Sequence, residues 1–391
     1  MPVERQAVII GGGAMGTSVA YHLARAGVTA VTVLESGELG SGSSAKPLGG
    51  VRALFSQSAN IALGARSLEA FRRFGTEVGT DIGLQQVGYL FAIRDPADVP
   101  ALEEGVGRQN ALGVPSRLVD PAEALRLCPL LSDPLQSDPL LCETELVAAV
   151  WSPDDGFARP ADVVGGYAQV AAALGVEIRT GTAVLGIESG AGEALVRTAD
   201  VTYRTPVVIC AAGAWSAEIG AMAGVELPIS PVRRQIGFTA PVVGRPDRLP
   251  FTIDYSSTAY FHGAEDGGLL LGWADPAEPV GFGREVSSAW HEPLREALRR
   301  FAPSVADLPI VSGWAGLYEM TPDCNAIIGE SDVGFRFLYA AGFSGHGFLQ
   351  APAVGECVRD LYLGRPPVVD IAPFALARFD QPAVRTELGI I

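Results

Sequence analysis

Gly11, Gly13 and Gly16 stand at G-x-G-x-x-G spacing, and a carboxylate, Glu35, lies 19 residues beyond the last of them. Glycines placed in this way let a backbone turn sharply, approach a pyrophosphate closely and pack a helix against a strand. Free N–H groups at the start of the following helix, at Ala14 and Met15, add partial positive charge for the phosphates. A carboxylate at that distance accepts hydrogen bonds from the ribose hydroxyls of an adenosine, with Ser36 beside it. The chemistry these residues offer is the holding of a dinucleotide.

Three later stretches add candidates of the same kind. GELGSGSSAKPLGGVRALFS, residues 37–56, is rich in small residues and carries Ser43, Ser44, Lys46, Gly50 and Arg52. A loop of this composition past the end of a strand lies flat on a cofactor and donates backbone and hydroxyl hydrogen bonds to phosphates. PVVICAAGAWS, residues 206–216, repeats the opening logic, a buried strand running into Ala212, Gly213 and Trp215. FLYAAGFSGHGF, residues 337–348, brings a strand to Gly342, Phe343, Gly345, His346 and Gly347. Chain that returns to one ligand after long excursions implies a discontinuous domain.

The elements that must position these groups follow from periodicity. Ala7–Ile10 reads as a buried strand, residues 14–26 as an amphipathic helix closed by Gly27, and residues 30–34 as a second strand. Further helices are predicted over 60–74, 97–112, 121–127, 162–174, 290–301 and 351–363. Strands are predicted over 87–93 and 147–151, and residues 176–188 with 194–205 read as a hairpin. Residues 129–139 read as loop, and the tail from Asp370 as irregular. Residues 231–273 are strand-rich and predict an antiparallel sheet carrying Tyr255, Tyr260, His262 and Trp273.

Composition bounds the rest. A chain of 391 residues, 48% apolar, is globular and long enough for two interleaved domains. No apolar run approaches the ~20 residues of a membrane helix, and the first apolar stretch lacks a basic leader. The expected location is the cytoplasm. A net charge of −16 argues against nucleic acid and anionic membrane as partners. Five scattered cysteines without a C-x-x-C pair, and four histidines, argue against a metal site or a disulfide framework.

Taken in order, GGGAMG with Glu35, GSGSS…GGVR, VVICAAGAWS and GLYEMTPD…GFSGHGF resemble the flavoenzyme superfamily of D-amino-acid oxidase, glycine oxidase and sarcosine oxidase. The blocks span residues 10–348 and look most like the sarcosine oxidase, β-subunit-like branch. The resemblance implies an α/β fold (α+β overall), a Rossmann-like FAD-binding domain with an interleaved substrate domain on an antiparallel sheet. It places the FAD-binding domain at 1–80, 150–225 and 315–391, and the substrate domain at 81–149 and 226–314. FAD is the implied cofactor, with Ser43 and Ser44 near the pyrophosphate and Val184 on the adenine side. The loop Gly342–Gly347, His346 included, lies against the isoalloxazine.

Two departures matter. No thiol stands near Gly316, where many sarcosine oxidases attach FAD through cysteine, so non-covalent FAD is expected. Leu270 and Leu349 stand where the monomeric oxidases carry lysines that assist oxygen use, which leaves either O2 or another acceptor open. The implied reaction is oxidation of the C–N bond of an amino acid or a secondary or tertiary amine. Hydride passes to flavin N5 and leaves an imine that water hydrolyses. Arg52 is the implied carboxylate anchor, and Tyr260, Tyr318 and His346 are the implied groups around the reacting atoms. Two alternatives stay open: a 2-hydroxy-acid dehydrogenase using His346 as base, and the flavin subunit of a multi-subunit amine dehydrogenase. Either a monomer or a homo-oligomer fits, with or without partner subunits.

Overall fold

The computed structural model of the protein describes residues 1–45, 49–132, 146–381 and 386–387. The opening apolar run forms the strand Ala7–Ile10, and the chain turns through Gly11 and Gly13 into the helix Ala14–Arg25. Strand Val31–Leu34 returns parallel to the first, with Ala7 opposite Val31. Glu177–Arg179 adds outside it, and Val207–Cys210 and Arg336–Ala341 extend the parallel run on the other flank. Ile327–Asp332 closes that edge antiparallel. The result is a six-stranded Rossmann-like sheet. Its central strands are apolar throughout because both faces are covered. Ala7 and Ile9 enter the core under the helices, while Val8 and Ile10 enter the opposite core, as a period of two requires. Helix Ala14–Arg25 packs on Pro160–Ala173 and on Gly347–Tyr362, and the latter also meets the helix Ser58–Glu77.

The second large sheet has eight strands. In spatial order they are Ile310–Met320, Ser230–Thr239, Leu269–Trp273, Tyr260–Gly263, Phe251–Asp254, Tyr89–Ile93, Ala148–Ser152 and Arg117–Val119. It is antiparallel except where Phe251–Asp254 runs parallel to Tyr89–Ile93, a pairing the alternation pattern does not reveal. One face is covered by a core that includes Trp290, Leu294, Leu298 and Phe301. The other carries Tyr89, Phe91, Ile236, Phe251 and Tyr260.

Several expectations are corrected. The segment predicted as a hairpin divides: Glu177–Arg179 belongs to the Rossmann-like sheet, and Gly186–Ser189, Ala194–Arg197 and Thr202–Thr205 form an antiparallel meander edged by Val3–Glu4. The chain changes direction at Gly181, where φ is +58°. Tyr255 falls just past its strand. The last long helix starts at Gly347, four residues before the predicted start, with Pro352 inside it. Strands Ala148–Ser152 and Ile310–Met320 both belong to the eight-stranded sheet. Lys46 and residues 133–139 of the predicted loop lie outside the described residues.

The start of helix Ser58–Glu77 has a distant partner. Gln57 gives no side-chain cap to this helix. Buried Glu387 lies there instead, its carboxylate accepting from the N–H groups of Ser56 (2.7 Å) and Gln57 (3.2 Å) and from Asn60 Nδ2 (2.7 Å). Among the described residues no helix is long and apolar enough to cross a membrane.

Candidate active site

The glycine-rich segments and the aromatic face of the eight-stranded sheet enclose one cavity of ≈ 550 Å³. Its floor depends on glycine at two points. Gly11 has φ +112°, and a Cβ there would lie 2.2 Å from the Ala211 carbonyl oxygen. A Cβ at Gly16 would lie 1.9 Å from the Gly11 oxygen. Gly16 therefore does not line the cavity but lets the helix sit against the turn, as its spacing implied. The Ala14 N–H donates to Ser44 Oγ (2.9 Å), tying the turn to the serine loop. Ser43 Oγ is buried, lines the cavity and has no hydrogen-bond partner among the described residues. Glu35 accepts from the N–H groups of Gly12 (2.7 Å) and Gly37 (2.8 Å). A carboxylate has about four acceptor positions, so room remains for ribose hydroxyls. The orphaned hydroxyl, the side-chain-free floor and the placed acid fit FAD.

Of the predicted cofactor residues, Gly11, Gly13, Ala14, Met15, Glu35, Ser36, Ser43, Ser44, Gly50, Val184, Ala212, Gly213, Trp215, Phe343, Gly345, His346 and Gly347 all line this cavity. Gly342 does not. It turns the chain at φ +72° and gives its N–H to Glu319 Oε2 (3.0 Å). Arg52, Tyr260, Tyr318 and His346 also line it. His262 does not, and its Nδ1 faces the Gly263 carbonyl (2.8 Å) while its ring stacks on Phe251. Trp273, expected on the same sheet, also lies outside the lining.

Arg52 and His346 act as one unit. Arg52 is 3% exposed and its guanidinium sits 4.4 Å from the Phe55 ring centroid. Nη1 donates to the Leu54 carbonyl (2.5 Å), and Nη2 lies 3.0 Å from His346 Nε2. A guanidinium only donates, so Nε2 accepts and the imidazole carries its proton on Nδ1. Burial, and then the Arg52 charge, hold the His346 pKa well below its usual value. The ring is neutral, oriented and weakly basic.

Sequence reasoning missed Tyr89, Arg234, Trp314 and Glu319, all of which line the cavity. Strand alternation carries a signal for some of them. Arg234 and Ile236 share one face, as do Trp314, Gly316 and Tyr318. Glu319 carries no such signal, because its position depends on the loop at Gly342. Burial pushes its carboxyl up to about 7. In the FAD-free protein this has a defined sign. The folded state binds a proton between pH 4.5 and about 7 that the unfolded state has released, so stability falls as pH rises through that window. The loss is at most roughly 3 kcal/mol at ~1.4 kcal/mol per unit. Asp155, pushed up to about 6, adds a slope of the same sign. Urea unfolding of apoprotein at pH 5 and pH 8 is expected to show the fall, and Glu319→Gln to reduce it. An unchanged slope in the variant assigns the fall elsewhere.

Over residues 6–361 the chain matches the family model DAO, FAD dependent oxidoreductase. It is 28% identical to glycine oxidase of Geobacillus kaustophilus over 378 residues, 95% of this chain and 96% of that one. Against mitochondrial dimethylglycine dehydrogenase of Rattus norvegicus the identity is 28% over 384 residues, 93% of this chain but 43% of that protein, so the chain spans less than half of that relative. The solved structure of L-proline dehydrogenase from P. horikoshii superposes with a TM-score of 0.89 at 32% identity, covering 98% of this chain and 100% of that one. The family model runs through both large sheets and every segment that lines the cavity, and the chain belongs to the DAO family of FAD dependent oxidoreductases.

Proposed function

We propose that this chain oxidises the C–N bond of a small amino acid or of a secondary or tertiary amine, sarcosine-like or cyclic. The observation that carries the reading is the single cavity that joins the dinucleotide turn to a tyrosine- and arginine-bearing sheet face. The names of the relatives point the same way, since glycine, proline and dimethylglycine are all amine-bearing acids. When bound, FAD supplies the hydride acceptor. The chain's residues bind, orient and exclude water. Tyr260, Tyr318 and Trp314 wall the substrate side, and the positive end of helix Gly347–Tyr362 opens on the cavity.

The 2-hydroxy-acid alternative needs a base for the hydroxyl proton. His346 is a poor one, because its Nε2 is occupied by Arg52 and its pKa is held down. An amine that binds neutral needs no such base. Non-covalent attachment is supported by Cys128, Cys210, Cys324 and Cys357, none of which lines the cavity. Leu349 lines it and Leu270 is buried in the sheet core, so neither place offers a cation to stabilise reduced oxygen. We infer slow use of O2 and faster turnover with another acceptor.

The test is anaerobic mixing of the yellow protein with sarcosine, dimethylglycine, glycine, proline and their 2-hydroxy analogues. Bleaching by one or more amines and not by hydroxy acids is the expected result. Bleaching by hydroxy acids alone overturns the reading. Trichloroacetic acid is expected to release FAD into the supernatant, and a yellow pellet contradicts non-covalent binding.

A further inference from the structure

We propose that Glu387 is a positioning residue for the Arg52–His346 pair. It acts through a buried relay of side chains, Glu387–Asn60–Gln350, that joins the loop carrying Arg52 to the helix that follows His346. All three residues are buried and none of them lines the cavity. The kinetic consequence rests on the reading above, whereas the consequence for His346 itself does not.

Arg52 and His346 lie 294 residues apart in the chain, so their 3.0 Å contact is a meeting of two separate segments. Arg52 opens a stretch without regular structure, residues 52–57, between strand Gly50–Val51 and helix Ser58–Glu77. Side chains from elsewhere hold the backbone of this stretch. The Ala53 N–H donates to Asp155 Oδ1 (2.9 Å), the Phe55 carbonyl accepts from Gln109 Nε2 (2.8 Å), and the Ser56 carbonyl accepts from Arg108 Nε (3.0 Å). Glu387 closes the end of the stretch, where Oε1 accepts from the Ser56 N–H and Oε2 from the Gln57 N–H. Buried backbone groups require partners, and a loop whose partners are side chains shifts when one of them is lost.

The same carboxylate reaches the His346 side. Asn60 Nδ2 donates to Glu387 Oε2 (2.7 Å), and Asn60 Oδ1 accepts from Gln350 Nε2 (3.1 Å). Gln350 stands in the first turn of helix Gly347–Tyr362, and its N–H donates to the His346 carbonyl (3.2 Å). The N–H of Glu387 donates to the Asp323 carbonyl (3.1 Å), just past the strand that carries Tyr318. One buried carboxylate thus braces the segments that bring Arg52, His346 and Tyr318 to the cavity. Its charge also bears on Arg52. Burial, the largest influence, lowers the guanidinium pKa, and Glu387 and Asp155 are carboxylates that oppose the fall. A buried polar network whose members satisfy one another holds a single arrangement.

Glu387→Gln tests the relay. Glutamine keeps the shape but removes the charge and turns an NH2 toward N–H donors, so a buried donor loses its acceptor. The readout is nitrogen NMR of histidine-labelled, FAD-loaded protein. Wild type is expected to show His346 as one tautomer with Nε2 non-protonated, and Glu387→Gln to show a mixture. At full FAD content kcat is expected to fall roughly 10-fold, with KM changed less. Gln350→Met cuts the relay at its other end without touching the bonds at Ser56 and Gln57, and is expected to give the same mixture. Asp120→Ala is the control. It removes the cap that Asp120 gives to the Glu123 N–H (2.7 Å) on helix Pro121–Leu127, none of whose residues lines the cavity. It is expected to lower the melting temperature and leave the His346 signal as in wild type. A wild-type His346 signal in either relay variant overturns the proposal and leaves Glu387 a stabilising cap alone, whatever the melting temperature does. A mixture in Asp120→Ala overturns it too, since general loosening then suffices. A mixture confined to the relay variants, in a protein that oxidises no amine in the panel, keeps the positioning and removes only the proposed reaction.

Discussion

Gly11→Ala is expected to purify with little or no bound FAD. The added methyl would stand 2.2 Å from the oxygen and 2.7 Å from the carbon of the Ala211 carbonyl, both of them backbone atoms with no rotamer to escape into. At φ +112° an alanine is also outside the regions open to L-residues. Relief requires the turn to move away from the Val207–Cys210 strand, and Ala211 and Ala212 belong to the next segment of the same cavity. One substitution thus opens two walls, and a loss of FAD affinity of at least 100-fold, roughly 3 kcal/mol, is expected. Gly13→Ala is the informative comparison. Its Cβ meets only Ser44 Oγ, at 2.8 Å, a side chain that rotates away. It is expected to weaken FAD while leaving the melting temperature of the apoprotein near wild type, whereas Gly11→Ala lowers both. The ratio of flavin to protein absorbance and a thermal melt of each apoprotein decide the matter, and a fully yellow Gly11→Ala refutes the steric argument.

Arg52→Met is the second large effect. Methionine keeps much of the volume between Phe55 and His346 but removes both donors. The Leu54 carbonyl and His346 Nε2 are then left unpaired in a buried site, a combined cost of about 2–4 kcal/mol. With its neighbour's charge gone, the imidazole pKa rises, although burial, the larger cause, still holds it below the ordinary value. The ring also loses the contact that fixes its tautomer, so loss of orientation is expected to lower kcat/KM by about 10- to 100-fold. Nitrogen NMR of histidine-labelled protein checks the cause directly. Wild type is expected to show a non-protonated Nε2 on His346, and Arg52→Met a mixture of tautomers. A protonated Nε2 in wild type would contradict the assigned hydrogen bond.

The dinucleotide half of the site was legible in the sequence because its chemistry is carried by backbone. Glycine spacing, an apolar strand and a terminal acid are local patterns, and the structure places Gly11, Gly13 and Glu35 as that spacing required. The substrate half was read only through resemblance, which named Arg52, Tyr260, Tyr318 and His346, and the structure brings all four to one cavity. Arg234 was missed because its meaning is a cross-strand fact. Only the register that sets it opposite Gly316 leaves it room, and no window along one strand contains that register. Glu319 was missed for a similar reason, its surroundings being supplied by the loop at Gly342, 23 residues on. The meander at 186–205 was misread because Glu177–Arg179 has the alternation of a hairpin strand, and only pairing with Val31–Leu34 separates it from its neighbours.

Glu387 has a consequence for the order in which the molecule comes into being. It serves the N–H groups of Ser56 and Gln57, which lead from the Arg52 loop into helix Ser58–Glu77, yet it is translated 331 and 330 residues after them. At 5–20 residues per second the helix waits roughly 15–65 s on the ribosome for that partner. The first strand waits comparably, since its neighbour Val207–Cys210 and the outer Arg336–Ala341 also come late. Through that interval Ala7–Ile10 is an apolar strand with an open edge, the kind of segment that recruits other chains. The cavity is lined by residues from Ile10 to Leu349, so its walls come together only after the segment at Leu349 has been made.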